Sequence, residues 1–273
     1  MGVASLRDAM REAVRLAACS VASWVVEELR RLASLPGVEG LYYGALLRSV
    51  ELSVAGSTPV CQDTGTPILL VEEYGWASHR EAEESLAEAL REAEGEGLLR
   101  PNRVSGVIPG IRYVGQAPVI MPLAGGGGEE EFRATLLLRG GGAEYYSRAA
   151  CTATIRAARE AWDWAERLLG EADGRPCPPL ILAMGAGPSV AEAVRQAYTA
   201  LAGVGGWRRA RPPRRLEPGG EPLPVKPRLL AVLGSAAPSH PACTCIALLT
   251  QCWALRGARI RVSRDGGYRV EPL

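Results

Sequence analysis

A thiol, an amide, a carboxylate and a hydroxyl occupy consecutive positions in the chain, as Cys61, Gln62, Asp63 and Thr64. Proline and glycine residues flank them and predict a tight loop, which can direct several of these side chains into one cavity. The apolar run 68–71 follows at once, and polar groups beside a buried strand each need a hydrogen-bonding partner. The loop therefore predicts a functional site, with a turn around one buried structural cysteine as the alternative.

Three more segments follow this loop in order. Arg139 opens an Arg-Gly-Gly-Gly-Ala-Glu stretch, Cys177 opens Cys-Pro-Pro before a strand-like run, and His240 stands twelve residues before Cys252. Together with the Cys-Gln-Asp-Thr-Gly loop, this ordered set resembles the α-type chain of the class I, iron-sulfur-dependent fumarate hydratases and L-tartrate dehydratases. The resemblance covers roughly residues 10–260.

The resemblance implies a 4Fe-4S cluster as the cofactor. Its ligands would be Cys61, Cys177 and Cys252, which are the cysteines inside the shared motifs. A cluster held by three thiolates leaves one iron open to substrate, where it acts as a Lewis acid on a hydroxyl group. The sequence spacing of these cysteines is not a metal signature by itself.

The other cysteines lie outside the motifs. Cys19 has small apolar neighbours and is expected to be buried and inert. Cys151, Cys243 and Cys245 are competing ligands, but Cys243 and Cys245 are expected to face opposite sides of a strand. We therefore expect one of the three to lie near the cluster without binding it.

The resemblance also assigns catalytic groups for a small hydroxydicarboxylate. Asp63 is the candidate general acid or base, and it binds substrate together with Gln62. His240 would bind or polarise the substrate. The residues alone leave open that His240 is a structural histidine in a proline-bounded turn.

Substrate carboxylates are expected to bind to a cation and to backbone amides. Arg100 follows Cys61 by about the family's interval, and a guanidinium can hold a carboxylate through two hydrogen bonds. Gly140, Gly141 and Gly142 allow the backbone to approach a ligand closely and present N–H groups to it. Surface ion pairs for Arg100 and a plain flexible turn for the glycines are the alternatives.

The glycine-rich stretch departs from the family pattern, since Arg139 replaces lysine, Ala143 replaces serine and Tyr145 replaces asparagine. Fumarate/malate is the default substrate, with tartrate as the close variant and a non-catalytic, cluster-bearing sensor or binding subunit as the alternative. The family's second domain is not recognisable after Cys252. The resemblance therefore implies a separate β subunit and an α2β2 hetero-oligomer.

Bulk properties restrict the remaining classes of function. The chain has 273 residues, 47% of them hydrophobic, and a net charge of +1, which gives no general attraction to nucleic acid or acidic membranes. Its apolar run 16–26 is too short to span a membrane. The seven cysteines are odd in number and not spaced like a secreted disulfide framework, so we expect a cytoplasmic protein.

The resemblance implies an α/β fold of mixed sheets flanked by helices, as in the class I fumarase N-terminal domain, within one domain, 1–273, and hydrophobic periodicity predicts the individual helices and strands. A connector rich in Arg, Pro and Gly is expected at about 203–228. The predicted helices are 4–34 (one or two), 41–54, 78–94, 146–169 and 188–202. The predicted strands are 67–73, 119–123, 132–138, 180–184, 229–233, 245–249, 258–262 and 268–270, with a hairpin-like connection between the second and third.

Overall fold

The computed structural model describes residues 2–105, 112–123, 130–172, 176–204, 208–210 and 229–273. Most of the expected connector at 203–228 lies outside these ranges. Within them the protein is a mixed α/β structure whose mixed sheets are flanked by helices, as the resemblance implied.

The described helices are α1 (Gly2–Cys19), α2 (Ser23–Ala33), α3 (Gly37–Gly56), α4 (His79–Gly95), α5 (Gly141–Tyr145), α6 (Thr154–Ala172) and α7 (Val190–Ala202). The described strands are β1 (Thr66–Glu73), β2 (Arg103–Ser105), β3 (Arg112–Val114), β4 (Val119–Pro122), β5 (Glu131–Arg139), β6 (Arg148–Thr152), β7 (Leu180–Gly187), β8 (Arg208–Ala210), β9 (Leu229–Ala236), β10 (Thr244–Gln251), β11 (Arg256–Ser263) and β12 (Tyr268–Pro272).

The chain divides into two compact units. The first contains Met1–Arg31, Tyr43–Gly141 and Ala254–Leu273. Its main sheet has the order β12-β11-β5-β1-β4, in which β4 is parallel to β1 and the other neighbours are antiparallel. The short strands β2 and β3 form a separate antiparallel pair.

Helices α1 and α4 cover one face of this first sheet. The apolar residues of α1 recur at three- and four-residue steps, and that side of the helix is buried. Leu6, Met10 and Leu86 have no exposed surface and pack in one core with Leu136 and Ile260. This core supports the strands whose ends carry the Asp63 loop and the glycine-rich stretch.

The second unit contains Leu32–Tyr42 and Gly142–Trp253. Its sheet has the order β6-β10-β7-β9-β8, and β7 and β9 are parallel. Apolar residues of α6 pack against one face of this sheet, where they meet Leu182 and Leu248. On the other face α7 lies so close that a Cβ on Gly185 would be 2.0 Å from the Ala193 carbonyl oxygen. The glycines of β7 thus permit close helix packing.

The predicted helix 146–169 is wrong over its first residues, because residues 148–152 form strand β6. Alanine and arginine in this stretch favour a helix locally. The edge of β10 instead supplies the hydrogen-bond partners, with Cys151 opposite Cys245. Tertiary pairing therefore overrides local propensity, and the helix begins only at Thr154.

The predicted hairpin-like connection between 119–123 and 132–138 is also wrong. The two strands, β4 and β5, are not neighbours, because β1 lies between them and pairs with both. By contrast, the expected terminal β element is confirmed as an antiparallel pair of β11 and β12, and β11 also extends the first sheet beside β5.

Among the residues that the structure describes, none of the helices combines the length and apolar character needed to cross a membrane.

Candidate functional site

The Asp63 carboxylate is held by hydrogen bonds from three segments of the first unit. Its Oδ1 accepts from the backbone N–H of Gly65 at 3.0 Å and from Nδ2 of Asn102 at 3.2 Å. Its Oδ2 accepts from the backbone N–H of Gly141 at 2.8 Å. A carboxylate has about four lone-pair sites, so one site, on Oδ2, has no donor among the residues that the structure describes.

Thr64 joins the same network from the buried side. Its Oγ1 accepts from the backbone N–H of Arg100 at 2.9 Å and from Nδ2 of Asn102 at 3.2 Å. Asn102, the single asparagine of the chain, therefore bridges Asp63 and Thr64. The sequence analysis gave this residue no role.

Gln116 closes this network from a third loop. Its side chain is buried, and Nε2 donates to the carbonyl oxygens of Gly65 at 3.0 Å and Arg100 at 2.9 Å. Its backbone N–H donates to Glu94 Oε1 at 2.5 Å. Four short polar segments are thus hydrogen-bonded into one cluster at the start of β1. Such a network holds the side chains of the site in fixed positions, which catalysis requires.

Gly65 occupies the tightest point of the cluster. Its φ is +84°, a left-handed backbone conformation that side chains disfavour. A Cβ here would also lie 3.0 Å from the backbone N, C and O atoms of Arg139. The glycine of the Cys-Gln-Asp-Thr-Gly motif therefore lets the Asp63 loop lie against the end of β5.

The Arg100 side chain is available for a ligand. Its backbone is fixed on both sides by Thr64 and Gln116, while the residue itself is exposed. Among the described residues no ion pair to its guanidinium is found. Gln62 is exposed as well. The substrate-binding roles of both residues stay predictions.

Arg256, at the start of β11, is a candidate that sequence reasoning missed. It is 2% exposed, and Nε and Nη1 have no hydrogen-bond partner among the described residues. It pairs with Leu138, next to Arg139 at the end of β5, and so lies at the sheet end that carries Asp63. The alternation of apolar and polar residues along β11 could have revealed its burial, because Arg256 lies on the same inward face as Ala258 and Ile260.

Two of the predicted cluster ligands lie at one end of the second unit. Cys177 precedes β7 and Cys252 follows β10, and these strands pair with Ile181 opposite Gln251. The Trp253 N–H donates to the Cys177 carbonyl at 3.4 Å. Cys252 Sγ accepts a hydrogen bond of 3.4 Å from Gln251 Nε2, the kind of contact that tunes cluster thiolates.

Cys61 belongs to the first unit, where it is half-buried at the start of the Asp63 loop. All three predicted ligands are cysteines outside any disulfide, and they lie outside helices and strands. Their donor set, three thiols with one sulfur already accepting a hydrogen bond, fits an iron-sulfur cluster. The ligand assignment stays a prediction.

His240 lies in a turn at the other end of β10. Its Nδ1 accepts from the Ala242 N–H at 3.1 Å, so the neutral ring carries its proton on Nε2. Thr154 Oγ1 donates to its carbonyl oxygen at 2.7 Å, and the residue is exposed. The second histidine, His79, begins α4, and its Nδ1 lies 2.7 Å from the Tyr74 hydroxyl.

The competing cysteines form a cluster of their own. Cys151 and Cys245 are joined by a disulfide, which sequence reasoning did not predict, and Cys243 is a free, exposed thiol. The three sulfur atoms lie within 4.8 Å of one another, so their thiolates could hold a metal ion once the disulfide is reduced. The expectation that Cys243 and Cys245 face opposite sides of a strand is wrong, because residues two apart in a strand share one face and because Cys243 lies in the turn before β10 begins.

Comparison with known families gives one match. A family model described as fumarate hydratase (Fumerase) matches residues 7–217. The matched range contains Cys61, Asp63, Arg100 and Cys177, whereas His240 and Cys252 follow it. None of the curated proteins compared with the chain matches it.

Proposed function

The chain belongs to the fumarate hydratase family of the class I, iron-sulfur type, and we propose that it is the cluster-bearing α-type subunit of a hydro-lyase. Membership of this family implies hydro-lyase chemistry. The proposed reaction is the reversible dehydration of a small hydroxydicarboxylate, with malate and fumarate as the default pair. The proposed fold is that of the class I fumarase N-terminal domain.

One observation carries the proposal: the motif loop and the glycine-rich stretch meet at the Asp63 carboxylate. The Gly141 N–H bonds to Oδ2 at 2.8 Å, and Asn102 and Gly65 bond to Oδ1. A fixed carboxylate with one unused lone pair is suited to transferring one proton in a defined direction.

The 4Fe-4S cluster would be held by Cys61, Cys177 and Cys252. When bound, it supplies a Lewis acid for the substrate hydroxyl, which is otherwise a poor leaving group. Two of these thiols, Cys177 and Cys252, lie at one end of the β7–β10 pair, which supports the assignment.

The residues of the chain itself would bind substrate and move the proton. Asp63 Oδ2 accepts the proton from the carbon next to the hydroxyl-bearing carbon in dehydration, and returns it in hydration. The Arg100 guanidinium binds one substrate carboxylate from its fixed backbone position. The N–H of Gly141 is already bonded to Asp63, so direct substrate contact in this stretch falls to Gly140 and Gly142.

We further propose a separate β subunit, an α2β2 assembly and a cytoplasmic location. A family match that extends over residues 7–217 is compatible with a partner that supplies the remaining groups. L-Tartrate is the alternative substrate. A non-catalytic sensor subunit is the second candidate, favoured by the exposed Tyr145 and the buried Ala143, which replace the family's asparagine and serine.

The test is an anaerobic hydration assay with fumarate and with L-tartrate, on the chain alone and with a candidate β chain. We expect no turnover by the chain alone and turnover of one substrate by the pair. Turnover by the isolated chain would exclude the subunit role. A pair that carries its full cluster and converts neither substrate would favour the sensor function.

A further inference from the structure

The thiol cluster formed by Cys151, Cys243 and Cys245 is separate from the predicted cluster ligands of the same unit. Cys245 lies near the beginning of β10 and Cys252 directly after its end. Seven residues of extended strand span about 20 Å or more. The two groups of thiols therefore cannot bind one common metal centre through Cys245 and Cys252.

With the disulfide reduced, the thiol cluster suits one small ion, because Cys151 and Cys245 are opposite residues of paired strands and Cys243 lies close to both. The three sulfur atoms lie within 4.8 Å of one another. Thiolates around a tetrahedral ion, each about 2.3 Å from it, are about 3.8 Å apart. Thiolates that bind different irons of one cluster are spread more widely, so a mononuclear site is favoured.

The surroundings hold the third thiol in place. The backbone N–H of Cys243 donates to the His240 carbonyl at 3.2 Å, and the same carbonyl accepts from Thr154 Oγ1 at 2.7 Å. Thr154 Oγ1 also lies 2.9 Å from Thr244 Oγ1. The turn that carries Cys243 is thus tied to the first residue of α6 and to β10.

The charge around the thiol cluster and its access to solvent also favour a bound cation. Cys245 is buried, whereas Cys151 and Cys243 are exposed, so an ion can reach the site from solvent. The nineteen-residue helix α6 begins at Thr154, beside the turn, and a helix N-terminus favours negative charge nearby. Three thiolates around a divalent cation carry one net negative charge.

We infer that, in the reduced protein, Cys151, Cys243 and Cys245 bind one soft divalent cation of the zinc class, and that the Cys151–Cys245 disulfide closes this site. Three thiolates are the ligands that soft cations prefer. A disulfide sulfur is no longer a thiolate, so only Cys243 remains as a ligand in the oxidised form. The inference does not depend on the proposed hydro-lyase activity.

Opening the site needs a dithiol reductant. The dithiol supplies two electrons and two protons, leaves as its own cyclic disulfide, and releases two thiols on the protein. Binding of the cation then displaces three thiol protons and forms three metal–sulfur bonds, with water at the fourth position.

The test is a titration of the full-length chain with Co²⁺, with Zn²⁺ as competitor. The base variant carries Cys61→Ser, Cys177→Ser and Cys252→Ser, so that no predicted cluster ligand contributes. After reduction and removal of the dithiol, we expect one Co²⁺ per chain with a thiolate-to-cobalt absorption band. Oxidation to the disulfide should abolish the band.

Adding Cys243→Ser should weaken Co²⁺ binding by about a hundredfold or more. Loss of a residue that only hydrogen-bonds to a metal ligand already lowers affinity by about 10–100-fold, and loss of a ligand should lower it further. Adding Cys19→Ser is the matched control and should leave binding unchanged. Equal binding by the disulfide form, or by the Cys243→Ser protein, overturns the inference. If the base variant does not fold, the wild-type chain freed of iron by a chelator is titrated instead, and there Cys243→Ser should lower the number of bound Co²⁺ by one per chain while Cys19→Ser should not.

Discussion

The backbone N–H of Gly141 donates a hydrogen bond of 2.8 Å to Oδ2 of Asp63, although 78 residues separate them in sequence. The two most conspicuous motifs of the chain are therefore parts of one structure. Without this bond the carboxylate would be held through Oδ1 alone, by Gly65 and Asn102. The glycine-rich stretch thus positions the proposed acid-base group.

Replacing Asp63 with asparagine should affect both stability and turnover. The amide can keep its oxygen toward Gly65 and Asn102, but its NH₂ group then faces the Gly141 N–H. One unsatisfied donor costs about 1–3 kcal/mol, which urea unfolding would detect. We expect kcat of the assembled enzyme to fall about a hundredfold or more, with the iron content intact.

Asn102→Ala is the matched control, since it removes one hydrogen bond to the carboxylate and leaves the charge. It should lower the free energy of unfolding by about 1 kcal/mol and reduce kcat less than Asp63→Asn does. If Asp63→Asn retains its iron and its kcat, the residue is structural and the proton moves through another group.

Gly65→Ala should be strongly destabilising. Alanine disfavours the left-handed conformation at φ +84° by about 1–2 kcal/mol, and its Cβ would press on the Arg139 backbone at 3.0 Å. Gly95→Ala, in α4, where an added Cβ would meet no atom within 4 Å, should instead be neutral or stabilising by up to about 1 kcal/mol. Equal unfolding free energies for the two variants would contradict the close approach of the Asp63 loop to β5.

Arg256→Met should raise the stability of the isolated chain. A buried guanidinium whose Nε and Nη1 lack partners among the described residues carries a desolvation cost, and apolar replacement of such charges is often stabilising by about 1–4 kcal/mol. Arg259→Met, on the exposed side of the same strand, should change the unfolding free energy by less than about 0.5 kcal/mol.

The same Arg256 variant reports on anion binding. If Nε and Nη1 of Arg256 bind a carboxylate, a dicarboxylate such as succinate should raise the unfolding free energy of the wild-type chain but not that of Arg256→Met. A loss of stability in Arg256→Met without any dicarboxylate present would show instead that the guanidinium already has a partner.

The sequence predicted most elements because their apolar periods agree with their packing. Helix α4 has its Ser78–Glu81 capping box, and β1 is the apolar run after Thr66. Strand β6 could not be predicted, since its alanines favour a helix and only the edge of β10 explains its pairing. The place of β1 between β4 and β5 likewise depends on contacts that are distant in sequence.

At the site, the motif residues could be named but not their partners. Asp63 and Gly141 were both singled out, yet their bond to each other depends on the pairing of β1 with β5. Asn102 and Gln116 act through side-chain hydrogen bonds across loops, which have no sequence period. The proximity of Cys243 to Cys245 was missed because their side chains were assigned to opposite faces of a strand, although residues two apart share one face.

The most direct test of the account is the iron content of the anaerobically prepared chain, compared between wild type, Cys177→Ser and Cys19→Ser. We predict about four irons per chain in the wild type and in Cys19→Ser, and loss of the cluster in Cys177→Ser. Cys61→Ser and Cys252→Ser should behave like Cys177→Ser. A Cys177→Ser protein that keeps its full iron content would contradict the assignment of the cluster ligands.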